Sequence, residues 1–151
     1  MNDELMQRYS EIIIEHSQFP HNHRTIDNPS HEGHGENPFC GDRIKLQLSV
    51  DADNMIKDVA VESTGCAICI ASGSLLASHL KGLSMGEAAE LFLEVRSAIV
   101  DGPGALVKER LGELAALSFA SRYPSRVKCA TLPWHVLKNV LEGDISVATT
   151  E

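Results

Sequence analysis

The chain has 151 residues, with 21 acidic against 13 basic side chains, a formal net charge of −8 and 43% hydrophobic residues. That length suits one domain able to bury a sizeable core without disulfide staples, and no window approaches the ~18 apolar residues of a membrane span. The acidic balance argues against nucleic acid as a main partner, because affinity there comes largely from Lys and Arg at phosphates. The opening Met1–Leu5 is acidic, unlike a signal peptide. A cytoplasmic location is therefore expected, where cysteines stay reduced and serve metals or catalysis more often than disulfides.

In chain order, Asn2 or Asp3 can cap a first helix in which Leu5, Met6, Tyr9, Ile12 and Ile13 follow helical spacing. Phe19 and Pro20 end it. Residues 17–38 hold four histidines (His21, His23, His31 and His34) without apolar periodicity, so they read as a solvated loop with room for a short strand around Gly33–Glu36. Arg43–Val50 alternates strictly, with Ile44, Leu46, Leu48 and Val50 on one face, and Met55–Ser63 is a weaker strand after the Asp51–Asn54 turn. Together they predict an antiparallel hairpin. A helix rich in Ala, Ser and Gly follows Cys66 and ends at Lys81–Gly82. Ser84–Glu87 is a capping-box pattern ahead of the stripe Ala88, Leu91, Phe92, Val95 and Ile99. Asp101–Gly104 breaks the chain, and residues 105–120 are expected to be helical with Leu111, Leu114, Ala115, Leu117 and Phe119 inward. Pro124 stops that helix, and a last one is expected from Thr131 to Leu141 with Pro133 in its first turn. The organisation expected is one domain over 1–143 and a flexible tail over 144–151.

Cysteines carry the chemistry. Cys40-Gly-Asp42 puts a thiol and a carboxylate two residues apart with a glycine able to bend the backbone between them. Cys66 follows Gly65 and opens a helix, where unsatisfied N–H groups and the dipole favour the thiolate. Cys129 follows Arg126 and Lys128 and precedes the expected last helix. Three thiolates and one carboxylate complete a tetrahedral site suited to zinc or to an iron–sulfur cluster. Cys69 adds a CxxC with Cys66; it could be one half of a redox pair, a replacement for Asp42, or a thiol packed beside Ile68 and Ile70. His135, six residues past Cys129, is a candidate neighbour of the site, though a helix-surface histidine is the commoner outcome.

Three motifs, Asn37-Pro-Phe-Cys-Gly-Asp42, Gly65-Cys-Ala-Ile-Cys-Ile70 with Ala71-Ser-Gly-Ser74, and Arg126-Val-Lys-Cys-Ala-Thr-Leu132 with Trp134 and His135, resemble the SufU/IscU family of iron–sulfur cluster assembly proteins, which is NifU N-terminal-like. The similarity runs from about Leu5 to Leu141. The stretch around Asp101–Tyr123, which IscU-type scaffolds lack, and Lys128, where those scaffolds carry histidine, make it look like the SufU branch. The resemblance implies an α+β fold, a small antiparallel sheet of about three strands with helices packed on one side. It implies a metal site from Cys40, Asp42, Cys66 and Cys129, holding zinc in the SufU branch, or iron or a [2Fe–2S] cluster in a scaffold. It also implies a partner, a pyridoxal-phosphate-dependent cysteine desulfurase that delivers a persulfide to Cys40, and downstream iron–sulfur assembly components. The departure is Cys69, where the family ordinarily has serine. The functions weighed are a zinc-dependent sulfur carrier, a scaffold for [2Fe–2S] assembly and transfer, and a CxxC thiol oxidoreductase.

Overall fold

The computed structural model describes residues 3–102 and 107–150. Asn2 as a cap, Pro103 and Gly104 of the expected break, residues 105 and 106, and Glu151 lie outside the described residues.

Helix α1 (Asp3–Gln18) forms where the apolar spacing predicts it, and Met6, Tyr9, Ile12 and Ile13 are all buried. His16 in its last turn is buried too. Its imidazole meets the Ser74 hydroxyl at 2.7 Å and Glu113 Oε2 at 3.3 Å, and the same hydroxyl accepts the His21 N–H at 2.7 Å. A buried polar group needs such partners, and here they tie α1 to two later helical segments.

Strands β1 (His31–Asn37), β2 (Asp42–Val50) and β3 (Ile56–Thr64) form an antiparallel ladder. On β2, Ile44, Leu46 and Leu48 are buried as the alternation predicts, whereas Val50, beyond a register irregularity, is half-buried. β1 runs further than the short strand expected around Gly33–Glu36. Its inward positions are Gly33 and Gly35, where a Cβ would come within 2.5 Å of Val140 and Val136 methyls. The absence of side chains lets the last helix lie directly on the strand. A fourth strand, β4 (Ala148–Thr149), pairs in parallel with Gly35 and Glu36. The sheet is therefore four-stranded and mixed, in the order β3-β2-β1-β4, rather than about three-stranded and antiparallel. A two-residue strand carries no side-chain period, which is why the segment after Asp144 read as a tail.

Helices α2 (Ala67–Leu80), α3 (Met85–Asp101), α4 (Val107–Leu111), a 3-10 helix (Gly112–Arg122) and α5 (Pro124–Glu142) complete the fold. The α+β class stands, with α2 packed on β3 and α5 on β1 and β2. The capping box forms on α3: the Ser84 hydroxyl accepts the Glu87 N–H and Glu87 Oε1 accepts the Ser84 N–H, both at 3.0 Å. Leu111, Leu114, Ala115 and Leu117 are buried, and Phe119 packs against the core in part.

The last helix starts at Pro124 instead of Thr131. Pro124 ends one helical segment and also opens the next, because a first-turn residue needs no N–H. Pro133 consequently falls in the helix interior, with no N–H to offer the carbonyl of Cys129 four residues back. Buried Ser72 locks α2 to α5 beside this point, donating to the Ala130 carbonyl at 2.6 Å and accepting Trp134 Nε1–H at 3.1 Å. Among the described residues, no helix is long and apolar enough to cross a membrane.

Candidate metal centre

The turn between β1 and β2 brings the first two groups to one end of the sheet. Asn37 shapes it: its carbonyl accepts the Cys40 N–H at 3.3 Å and its side-chain Oδ1 accepts the Phe39 N–H at 3.2 Å. Cys40 is left exposed, whereas Asp42, first residue of β2, is fully buried on the helix-facing side.

Gly65 delivers the third group. It sits at φ 125°, and a Cβ there would meet Asp42 Oδ1 at 2.2 Å and Asp42 Cα at 2.7 Å. Only glycine leaves room for the carboxylate. Asp42 Oδ1 in turn accepts the N–H of Cys66 at 2.8 Å, and the Cys66 thiol reaches Oδ2 at 4.0 Å. Cys66 is the extended cap residue of α2 (φ −74°, ψ 157°), half-buried, as the sequence placed it.

Cys129 closes the group from α5, fully buried. One ligand-type atom each from Cys40, Asp42 and Cys129 lies within 4.8 Å of the others, an arrangement able to hold a metal ion. Cys66 stands outside that group of three, joined to it through its 4.0 Å contact with Asp42 Oδ2. With zinc–sulfur bonds of ~2.3 Å, tetrahedral ligands stand about 3.7 Å apart, so 4.0–4.8 Å separations need only small side-chain adjustments. Burial pushes the Cys129 thiol well above its ordinary range, and hydrogen bonds with Asp42, Cys66 and Cys40 push further in that direction.

Arg126 is the residue that sequence reasoning passed over. Cys129, then Cys66 and Cys40, lie close enough to its guanidinium to raise its pKa and hold it in the charged form. Helical spacing of three puts Arg126 and Cys129 on one face, a signal hidden by starting the helix seven residues late. The neighbouring Lys128 does something else: its ammonium lies 5.7 Å from the ring centre of Phe39, an 80% exposed aromatic next to Cys40.

The remaining candidates separate cleanly. Cys69 is fully buried one turn into α2, and burial, then the charges of Asp42, Cys66 and Cys40, raise its thiol pKa strongly. His135 packs edge-on against Phe92 of α3, with ring centres 6.0 Å apart. Burial and the nearby Arg96 and Lys138 lower its pKa, so the neutral ring is favoured. Of the loop histidines, His23 stays at the β3 edge, its Nε2 accepting the Ser63 N–H at 3.2 Å. His21 stacks on His16 with ring centres 4.5 Å apart. All four cysteines are free thiols.

A small α+β domain that gathers two thiols and a carboxylate at one end of its sheet, with a third thiol against the carboxylate, is the class these features define. The chain belongs to the family of NifU-like N-terminal domains, whose model matches residues 8–130. It is 34% identical over 134 residues to the iron–sulfur cluster assembly scaffold protein IscU of Streptococcus pyogenes, covering 89% of this chain and 82% of that protein. It is 34% identical over 137 residues to the zinc-dependent sulfurtransferase SufU of Bacillus subtilis, covering 91% of each. Among solved structures, a candidate scaffold protein for the SUF system from Fervidobacterium islandicum superposes with a TM-score of 0.80 at 31% identity, covering 93% of this chain and 99% of that one.

Proposed function

We propose that this protein is a zinc-dependent sulfur carrier in iron–sulfur cluster assembly, accepting persulfide sulfur on Cys40 from a pyridoxal-phosphate-dependent cysteine desulfurase. The carrying observation is asymmetry: one exposed thiol, Cys40, stands among the buried Asp42 and Cys129. Cys40, Asp42, Cys66 and Cys129 are the ligands in this reading, and bound zinc would keep the thiols as thiolates. The Bacillus relative's designation as a zinc-dependent sulfurtransferase supports zinc.

Each residue then has a part. Asp42 takes the Cys66 N–H on one oxygen and keeps the other towards the thiols. Arg126 offers fixed positive charge beside Cys129, Cys66 and Cys40. Cys40, on a surface turn, can leave the group and attack the outer sulfur of a partner's persulfide, whose inner thiolate departs. Phe39 beside it gives an incoming partner an exposed aromatic contact. Free thiols at such a site fit a reducing compartment such as the cytoplasm.

The scaffold reading, in which the same residues build a [2Fe–2S] cluster for downstream components, is favoured by the Streptococcus relative's designation. Elemental analysis with a visible spectrum on protein purified without oxygen separates the two. About one zinc per chain, without colour, is the expected result; iron with acid-labile sulfide and a brown absorbance would replace the carrier by the scaffold.

A further inference from the structure

The carrier reading uses three of the chain's four thiols. Cys66 and Cys69 bracket the first turn of α2, where the Ile70 N–H donates to the Cys66 carbonyl at 3.2 Å. Helical positions three apart place Cβ atoms ~5–6 Å from each other, wider than the ~3.5–4.5 Å a disulfide spans, so the bond closes through backbone movement at Cys66, the extended residue at the helix cap. The first thiol is half-buried at the helix cap and the second fully buried behind it. One is thus accessible to a reactant in the site, and the other only to its neighbour. The link to Cys40 is the Asp42 carboxylate, which lies within 4.8 Å of the Cys40 and Cys129 thiols and whose Oδ2 is 4.0 Å from Cys66 Sγ. Sulfur on Cys40 is therefore one side chain's swing from Cys66, and Cys66 is one helical turn from Cys69.

We propose that Cys66 and Cys69 form a redox-active dithiol that converts sulfane sulfur arriving at Cys40 into sulfide. This rests on Cys40 as acceptor. In the first step Cys66 Sγ attacks the outer sulfur of the Cys40 persulfide; the Cys40 sulfur–sulfur bond breaks, and Cys40 departs as a thiolate that takes the Cys66 proton. The persulfide now sits on Cys66. Cys69 Sγ then attacks Cys66 Sγ, and the outer sulfur leaves with the bonding electron pair and the Cys69 proton, as hydrogen sulfide. The sulfane sulfur gains two electrons and the dithiol becomes a disulfide, with no outside oxidant. Another round requires an external dithiol to reduce the pair.

The test loads the full-length protein with inorganic polysulfide without oxygen, removes the excess, and follows released sulfide and peptide masses in the absence of reductant. The wild type should release sulfide in step with a Cys66–Cys69 disulfide. Cys69→Ser should retain its sulfur until dithiothreitol is added, with at least ~10-fold slower release before that; Cys69→Ala, which keeps the apolar surroundings, is the second variant and should behave alike. Equal release from wild type and both variants, or a disulfide mapping to Cys40 and Cys66, overturns the dithiol. Sulfur that stays on Cys40 in the wild type overturns the dithiol alone, whereas sulfur absent from Cys40 in every protein overturns the acceptor reading and the dithiol with it.

Discussion

Gly65→Ala is the sharpest perturbation of the centre that leaves every candidate ligand in place. The new Cβ would lie 2.2 Å from Asp42 Oδ1, a side-chain atom that can swing, and 2.7 Å from Asp42 Cα, a backbone atom that cannot. Asp42 is paired to Asn37, and the adjacent Arg43 to Thr64, so β2 is held on both sides. Moving the carboxylate breaks its 2.8 Å bond to the Cys66 N–H, a contact to a charged acceptor worth about 1.5–3 kcal/mol. Forcing a non-glycine residue to φ 125° adds about 1–3 kcal/mol. A total near 2.5–6 kcal/mol is a large part of the ~5–15 kcal/mol of a typical domain. At about 2–4 °C per kcal/mol for this size, Tm should fall by about 5–24 °C. Thermal unfolding is to be measured beside chelator competition for zinc, with Gly41→Ala as the contrast. Gly41 also has positive φ, but a Cβ there meets nothing within 4 Å, so Gly41→Ala should lose stability with little loss of metal affinity. If Gly65→Ala melts within ~2 °C of the wild type and binds zinc equally well, the packing of Asp42 against Gly65 does not hold the site.

Further outcomes are open to simple assays. Cys40→Ala should abolish stimulation of a cysteine desulfurase, measured as alanine formed from cysteine, while its Tm without metal stays close to wild type because the residue is exposed. Asp42→Ala should keep the fold yet lower zinc retention and sulfur acceptance; unchanged metal content with unchanged turnover would remove it from the ligand set. His16→Ala breaks the link from α1 to Ser74 and Glu113 and leaves a cavity, at a cost of about 2–4 kcal/mol by denaturant unfolding. The Arg24 guanidinium, hydrogen-bonded to Asp58, is the main cause holding that carboxyl below the ordinary 3.8. A depressed folded-state pKa stabilises above the unfolded value and loses its effect as pH falls through the folded one. Arg24→Ala should therefore lower Tm at neutral pH and converge with the wild type in acid.

How much could be read from residues alone depended on whether side chains carried the signal. Helix α1, strand β2 and the α3 capping box announce themselves because apolar spacing and a polar cap state the geometry directly. β1 does not, since its inward positions are glycines chosen by the approach of α5, and a missing side chain leaves no alternation. Pro124 misled in another way. A proline both stops and starts helices, and taking it only as a stop displaced the start of α5, left Cys129 outside the helix and concealed Arg126 behind it. The turns at Cys40 and Cys66 are legible because glycine neighbours mark them; the structure brings Cys40, Asp42 and Cys129 within 4.8 Å of one another and sets Cys66 against the Asp42 carboxylate. His135 fell elsewhere because six residues along a helix turn the side chain well away from Cys129.

The two-residue strand β4 reaches beyond its size. Without it the sheet would end at β1, a strand whose inward face is glycine and whose open backbone could pair with another copy of the chain. Ala148 and Thr149 cover part of that edge, and the Thr150 hydroxyl donates to the Lys128 carbonyl at 2.9 Å, pinning the strap to the helix that carries Cys129. Outward-facing Glu32 and Glu36 set like charges along β1 itself, which disfavours a second copy of the strand there. Ala148 and Thr149 thus occupy the stretch of β1 backbone at Gly35 and Glu36 that an open edge would offer to another strand.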